Sequence, residues 1–250
     1  MATRTIYLVR HGHYEEWKND DLPLEGHLTG YGIDQARLTA RALKSNPITA
    51  IYTSNLNRAV ETGEIIKDEF PLVSFEEDEL LQECVPVIPD EWAEFFKDYP
   101  HEKLSVDKAR ADKAFEKYFQ TAVDDNQQEI IVAHGNLIRY LLCRVLEVDG
   151  GSWSGFYSDN CGITKVIILS NGWRRLISYN DTSHLPKRLV GTIPHGGLSD
   201  TLLQAAQEAE TRGDKELAHN LAQNANSILY SLESEKTFAV EEWLKRLKAG

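Results

Sequence analysis

Two short apolar runs in this chain end alike. Ile6-Tyr7-Leu8-Val9 runs into Arg10-His11-Gly12, and Ile130-Ile131-Val132-Ala133 runs into His134-Gly135. A run of this length, bounded by polar residues and glycine, reads as a buried strand entering a loop. In open α/β sheets, ligands sit at the carboxyl ends of the strands. Two histidines placed there face one pocket if their strands are neighbours.

The rest of the chain alternates helical with extended patterns. Ile33, Ala36, Ala40 and Leu43 recur at helical spacing, and Pro47 stops that helix. Ala50-Ile51-Tyr52 reads as a second strand. Ser54 or Asn55 is expected to cap the next helix, whose apolar face is Leu56, Val60, Gly63 and Phe70. Residues 76–91 are acidic, carry Pro86 and Pro89, and read as a loop. Helices are expected near 90–98 and 105–122. After the strand 129–133, Ile138, Leu141, Leu142 and Val145 form one helical face. Residues 163–169 and 173–179 flank Asn171-Gly172, a hairpin signal. The expected fold class is α/β, with a mostly parallel sheet and an antiparallel edge.

Pro186, Gly191, Pro194 and Gly196-Gly197 suggest a boundary, giving a domain over 1–190 and a helical extension over 191–250. The extension reads as a hairpin, 198–212 and 214–232, broken at Gly213-Asp214. Its second arm carries Leu217, Leu221, Ala225, Ile228 and Leu232, and a last helix is expected near 236–248. Covering the sheet domain and forming a homo-oligomer through residues 198–250 are equal expectations for it.

The formal charge of −12 comes with no basic stripe, which argues against nucleic acid and against anionic membranes as partners. A phosphate site here must be a local cluster of arginines inside an acidic shell. The three cysteines, Cys84, Cys143 and Cys161, are widely spaced, so neither a disulfide framework nor a zinc site is expected. The chain opens almost directly into a strand pattern, with no apolar leader or membrane-length run. A reducing, cytoplasmic location is the resulting expectation.

In Ser54-Asn55-Leu56-Asn57-Arg58, an arginine falls in the first turn of a helix that follows a strand. Helix N-termini favour anions, and a guanidinium adds a bidentate fork for phosphoryl oxygens. The pattern points to capture of a phosphoryl dianion by Arg10, Arg58 and His134, with a neutral His11 attacking phosphorus.

These residues resemble a family, the histidine phosphatase superfamily, which includes the cofactor-dependent phosphoglycerate mutases. The resemblance spans about residues 4–186. It is carried by Arg10-His11-Gly12, Leu28-Thr29-x-x-Gly32-x-x-Gln35-Ala36, Ser54-x-x-x-Arg58-Ala59-x-Glu61-Thr62, Glu83 after Leu80-Leu81-Gln82, and Ala133-His134-Gly135. It implies a three-layer α/β/α sandwich of the phosphoglycerate mutase-like type. It makes His11 the phosphoryl acceptor, Arg10, Arg58 and His134 the phosphate holders, and Glu83 the proton donor. No cofactor and no metal is implied. A protein-phosphatase subgroup shares further stretches: Val85-Pro86, Asn136-x-Ile138-Arg139-Tyr140 and Asp159-Asn160-x-Gly162-Ile163-Thr164. Gly12 and Gly135 depart from that subgroup and match the wider family.

The expected function is therefore a metal-independent phosphomonoesterase acting on a serine/threonine phosphoprotein, or alternatively on a small phosphorylated metabolite. A mutase needs extra cations for a second phosphate. Here Glu83 is followed by Cys84-Val85-Pro86, and no arginine lies between Arg58 and Arg110. The reading of another class is an inactive scaffold that binds partners through its C-terminal helices. Plainer readings attach to single residues: Glu83 as part of an acidic face with Glu79 as the fallback donor, Asn136 as a helix cap, Cys84 as a buried inert thiol, and His27 and His184 as hydrogen-bonded loop residues. His13, two residues from His11, is placed to approach the pocket, and a metal pair of the two lacks carboxylates to complete it. His184 is also a candidate for the pocket rim.

Overall fold

The computed structural model describes residues 2–14, 26–190, 203, 205–231 and 245. The chain divides into two compact units, Met1–Pro186 and Lys187–Gly250.

In the first unit, six strands form one sheet: β1 Arg4–Arg10, β2 Ala50–Thr53, β3 Ser74–Glu77, β4 Gln127–Ala133, β5 Ile163–Ile168 and β6 Arg174–Asp181. Their order is β3-β2-β4-β1-β5-β6. The first four in that order are mutually parallel, and β5 runs antiparallel to both β1 and β6. The hairpin expected around Asn171-Gly172 is the β5–β6 pair, with Gly172 at φ +83° in the turn. A positive φ at that point is what glycine permits without steric cost.

The period of two along the central strands builds the layers. Ile6 and Leu8 of β1, with Ile131 and Ala133 of β4, enter one core; Tyr7 and Val9, with Ile130 and Val132, enter the other. Helix α1 (Gly30–Leu43) and α2 (Asn57–Lys67) cover the second face through Ala40, Leu43, Ala59 and Ile66. Helices α3 (His101–Tyr118) and α4 (Gly135–Leu146) cover the first through Ala111, Phe115, Leu137 and Leu141. Each fully buried Ile or Leu contributes roughly 1.5–3 kcal/mol of transfer free energy. The result is the expected three-layer α/β sandwich.

Several local expectations are corrected. Residues 74–77, the last two of them inside the stretch read as a loop, form the parallel edge strand β3, paired from Ala50↔Ser74 to Thr53↔Glu77. Apart from Phe75, which packs against the second core, its side chains are polar and exposed, so no alternation marks it. In place of a helix over 90–98 there is one 3-10 turn, Asp90–Trp92, and the aromatics beyond it pack on one another: Trp92 stacks on Phe96 with centroids 6.0 Å apart. The next helix begins at His101, not 105. The N-cap of α2 is Leu56, with no side-chain cap; Ser54 Oγ instead accepts the Leu56 N–H at 3.3 Å, and Asn55 Oδ1 accepts from Gln82 at 2.8 Å.

In the second unit, residues 205–211 are helical and α5 spans Lys215–Ser231. Between them Gly213 sits at φ +84°, and Asp214 Oδ1 accepts the Leu217 N–H at 3.1 Å, which caps α5. Ala206, Ala209, Ala218 and Ala222 are fully buried, whereas Leu217, expected on the apolar stripe, is 41% exposed. The buried stripe lies one position further on. Leu232 and nearly all of the expected last helix lie outside the described residues, as do the side chains of Ala225 and Ile228.

Candidate active site

The register of the central strands sets the pocket. Arg10 of β1 lies beside Ala133 of β4, so the next residue of each strand, His11 and His134, emerges at the same carboxyl edge. The His11 N–H donates to the Ala133 carbonyl at 2.9 Å, and the two ring centroids are 5.0 Å apart. Both imidazoles are buried, at 2% and 0% exposure.

The backbone around His11 is held from four sides. The Gly12 N–H donates to Thr62 Oγ1 at 2.9 Å, and that hydroxyl donates to the Arg58 carbonyl at 2.7 Å. Asn160 Nδ2 donates to the His11 carbonyl at 2.8 Å, and the His13 N–H donates to Gln35 Oε1 at 2.8 Å. Close approach needs glycine here. A Cβ on Gly12 would lie 2.7 Å from the Gly32 carbonyl oxygen, and one on Gly32 would lie 2.0 Å from that of His13. Thr29, the N-cap of α1, accepts the Gly32 N–H at 3.1 Å and meets His13 Nδ1 at 2.8 Å. The spaced residues from Thr29 to Gln35 thus brace the histidine loop against the start of α1.

His11 Nδ1 lies 2.8 Å from the Gly12 carbonyl. A carbonyl only accepts, so Nδ1 carries the hydrogen and the neutral ring keeps its lone pair on Nε2. Arg58 Nε donates to that Nε2 at 3.3 Å. Burial lowers the His11 pKa well below 6.5, and Arg10 and Arg58 push it in the same direction. Burial, then His11, Arg58 and Arg10, likewise lower that of His134. His134 Nε2 meets Ser54 Oγ at 2.8 Å, while its Nδ1 is buried without a hydrogen-bond partner among the described residues.

Arg58, in the first turn of α2, lies 4.6 Å over the Tyr14 ring. Arg10 donates to the Ser158 carbonyl and lies along Gly135, where a Cβ would stand 3.3 Å from its Nε. Glu83 follows the 3-10 turn Glu79–Leu81 and brings its carboxylate to the first amides of α4. It accepts the Asn136 N–H at 3.2 Å, the Leu137 N–H at 3.3 Å and the Cys84 N–H at 3.1 Å. Glu83 is therefore held directly beside the His134-Gly135 turn.

The Asn136 side chain does not cap α4, contrary to expectation. Its Oδ1 accepts from Arg139, and the helix start is satisfied by Glu83. His27 pairs with Glu61 and is mostly exposed, and His184 Nε2 meets Thr39 Oγ1 at 2.9 Å. The Cys84 thiol is buried, and desolvation raises its pKa. Two residues that sequence reasoning passed over stand behind Glu83. Asp107 and Arg110 of α3 bond to residues 82–85, and their three-residue helical spacing was the only visible signal. Among the described residues no group of three or more His, Cys, Asp and Glu is arranged to hold a metal ion.

Cations converging on a neutral imidazole whose Nε2 lone pair faces a guanidinium, at the carboxyl edge of an α/β sheet, define a protein of phosphoryl chemistry. The chain belongs to the histidine phosphatase superfamily (branch 1), whose sequence profile it matches over residues 6–182. It is 34% identical over 190 residues to the mouse (Mus musculus) serine/threonine-protein phosphatase PGAM5, mitochondrial, an alignment covering 74% of this chain and 65% of that one. The chain thus spans a little under two thirds of the length of the first curated relatives it matches. Among solved structures, a phosphoglycerate mutase from Plasmodium falciparum superposes with a TM-score of 0.52 at 29% identity, covering 75% of this chain and 96% of that one. YhfR of Bacillus stearothermophilus gives 0.59 at 22% identity, covering 73% and 100%, and speaks for the fold.

The cytoplasmic expectation is corrected by these relatives, which are named mitochondrial proteins. Widely spaced free cysteines indicate a reducing environment without telling one reducing compartment from another. No helix among the described residues is long and apolar enough to cross a membrane.

Proposed function

We propose that the chain is a metal-independent phosphomonoesterase that works through a phosphohistidine on His11 and acts on phosphoserine or phosphothreonine in proteins. The observation that carries this reading is the state of His11: neutral, with hydrogen on Nδ1 and the lone pair on Nε2 facing Arg58. Arg10, Arg58 and His134 surround the place a phosphoryl group would take. In the first step the Nε2–P bond forms as the ester P–O bond breaks, and Glu83 gives its proton to the departing oxygen. In the second, water attacks phosphorus, Glu83 takes the proton, and the N–P bond breaks to free phosphate and His11. The protein-phosphatase assignment is supported by the names of the curated relatives.

A mutase role is disfavoured by the same structure. The next arginine along the chain after Arg58, Arg110, spends its guanidinium on Gln82, Glu83 and Asp107 rather than offering it to a second phosphate. The test is hydrolysis of p-nitrophenyl phosphate in the presence of EDTA, beside His11→Ala. We expect chelator-resistant turnover that falls at least about a thousandfold in the variant, the scale expected for loss of a covalent nucleophile. Loss with EDTA, or survival of the variant, overturns the mechanism. A panel of phosphopeptides and small phosphate esters then separates protein from metabolite substrates. Self-association through residues 198–250 is a proposal of the same standing, and sedimentation of the full chain reads it directly as monomer or multimer mass.

A further inference from the structure

Glu83 stands in a stretch with little regular structure of its own, between the 3-10 turn Glu79–Leu81 and Pro86. A proton donor has to be held in place to act, yet no strand pairing holds residues 82–85. One turn of α3 holds their backbone, while the first amides of α4 hold the Glu83 carboxyl itself. Arg110 Nη2 donates to the Glu83 carbonyl at 2.8 Å, and its Nη1 donates to Gln82 Oε1 at 2.7 Å. Asp107 Oδ2 accepts the Val85 N–H at 3.0 Å and the Tyr99 hydroxyl at 2.7 Å, while Oδ1 accepts from Arg110 at 2.9 Å. The backbone is therefore gripped on both sides of Cys84, by a donor at Glu83 and an acceptor at Val85.

The grip is rigid for a physical reason. Asp107 is 4% exposed, and the Arg110 side chain is largely covered. A charge-assisted bond in that setting is stronger than a surface pair. The planar fork of Arg110 reaches three acceptors at once, which a lysine ammonium on its flexible stem does not do in the same geometry. Gln82 continues the chain of contacts, since its Nε2 donates to Asn55 Oδ1, three residues before Arg58. One guanidinium thus ties the acid's segment to the loop that presents the phosphate-binding arginine.

We propose that the Asp107–Arg110 pair is the positioning device of the general acid: it sets where Glu83 delivers its proton, without touching substrate. This rests on the reading of Glu83 as the proton donor. It predicts a signature that a merely structural pair lacks. Misplacing the acid should slow departure of an alkoxide, which must be protonated, and should spare a nitrophenolate, which leaves unaided.

The experiment compares kcat/KM, which reports the leaving-group step, for a phosphoserine peptide and for p-nitrophenyl phosphate. The variants are Arg110→Lys, Arg110→Ala, Asp107→Asn and Glu83→Gln, with thermal midpoints recorded for each. Glu83→Gln should lose on the order of a hundredfold on the peptide and far less on the aryl ester. Arg110→Lys and Asp107→Asn should lose about tenfold on the peptide, with the same selectivity. Adding Arg110→Lys to Glu83→Gln should cost nearly nothing more, because the two act on one step. Equal losses on both substrates from Arg110→Lys and Asp107→Asn, beside a selective Glu83→Gln, would overturn the positioning role and leave the acid assignment standing. An unselective Glu83→Gln would overturn the acid assignment and the inference with it. If Arg110→Ala does not fold, the lysine and asparagine variants decide the question.

Discussion

The chemistry of the pocket turns on which ring nitrogen of His11 carries hydrogen, and one backbone carbonyl decides it. With Nδ1 committed to Gly12, burial and two guanidinium groups keep the ring neutral. A consequence for pH follows from the sign of the shift. The unfolded chain protonates its histidines near the ordinary value of 6.5, whereas folded His11 and His134 resist protonation until the pH is well below it. Between those limits the unfolded state binds more protons, so acidification destabilises the fold by about 1.4 kcal/mol per pH unit for each such group. Above 6.5 the effect is absent. Thermal midpoints followed from pH 8 downward should fall less steeply for His11→Asn than for the wild type once the pH passes 6.5; parallel curves would contradict the shift. The two histidines and both arginines were legible in the sequence because each stands at a strand end or in a first helical turn, where position implies role. Arg110 was not, since its importance comes from what folds against it.

At the scale of elements, the tightest constraint is the meeting of the histidine loop with the start of α1. Gly12 and Gly32 approach so closely that neither tolerates a side chain without displacement of backbone. Gly32→Ala should therefore destabilise the protein by about 1–3 kcal/mol, as overpacking does. It should also lower kcat, because the His13 carbonyl it strikes is two residues from His11. Chemical denaturation and steady-state kinetics on the same preparation check both effects; a variant of unchanged stability would show that the loop yields freely. The helices and central strands were readable from their periodicity, since their buried faces repeat every three to four or every two residues. Strand β3 was not, because Ser74, Glu76 and Glu77 are exposed, and its pairing with β2 is the only thing that makes it a strand. The aromatic stretch after Pro89 misled for the opposite reason: its rings sit at helical spacing, but a turn brings Trp92 against Trp153 and stacks Phe96 on Trp92.

For the whole molecule, the proposed substrate brings an anionic group to an acidic chain. The formal charge is −12, and Glu76, Glu77 and Glu79 are exposed at the carboxyl edge of β3, the edge on which the two histidines emerge. Such a surround repels polyanions and tolerates a single phosphate on a neutral or basic segment. A basic phosphopeptide should accordingly be hydrolysed with higher kcat/KM than ATP, and the gap should narrow as salt is raised. ATP as the better substrate at low salt would refute this picture. The order of the sheet carries one more consequence. β4, late in the chain, lies between β1 and β2, which are both made early. The two halves of the phosphate pocket meet only when that last parallel strand slides between them. Long-range parallel pairing of this kind is slow to form, so a nascent or partly unfolded chain has no pocket at all. A ligand that occupies the pocket would therefore report complete folding, and would stabilise the entire sheet rather than a local loop.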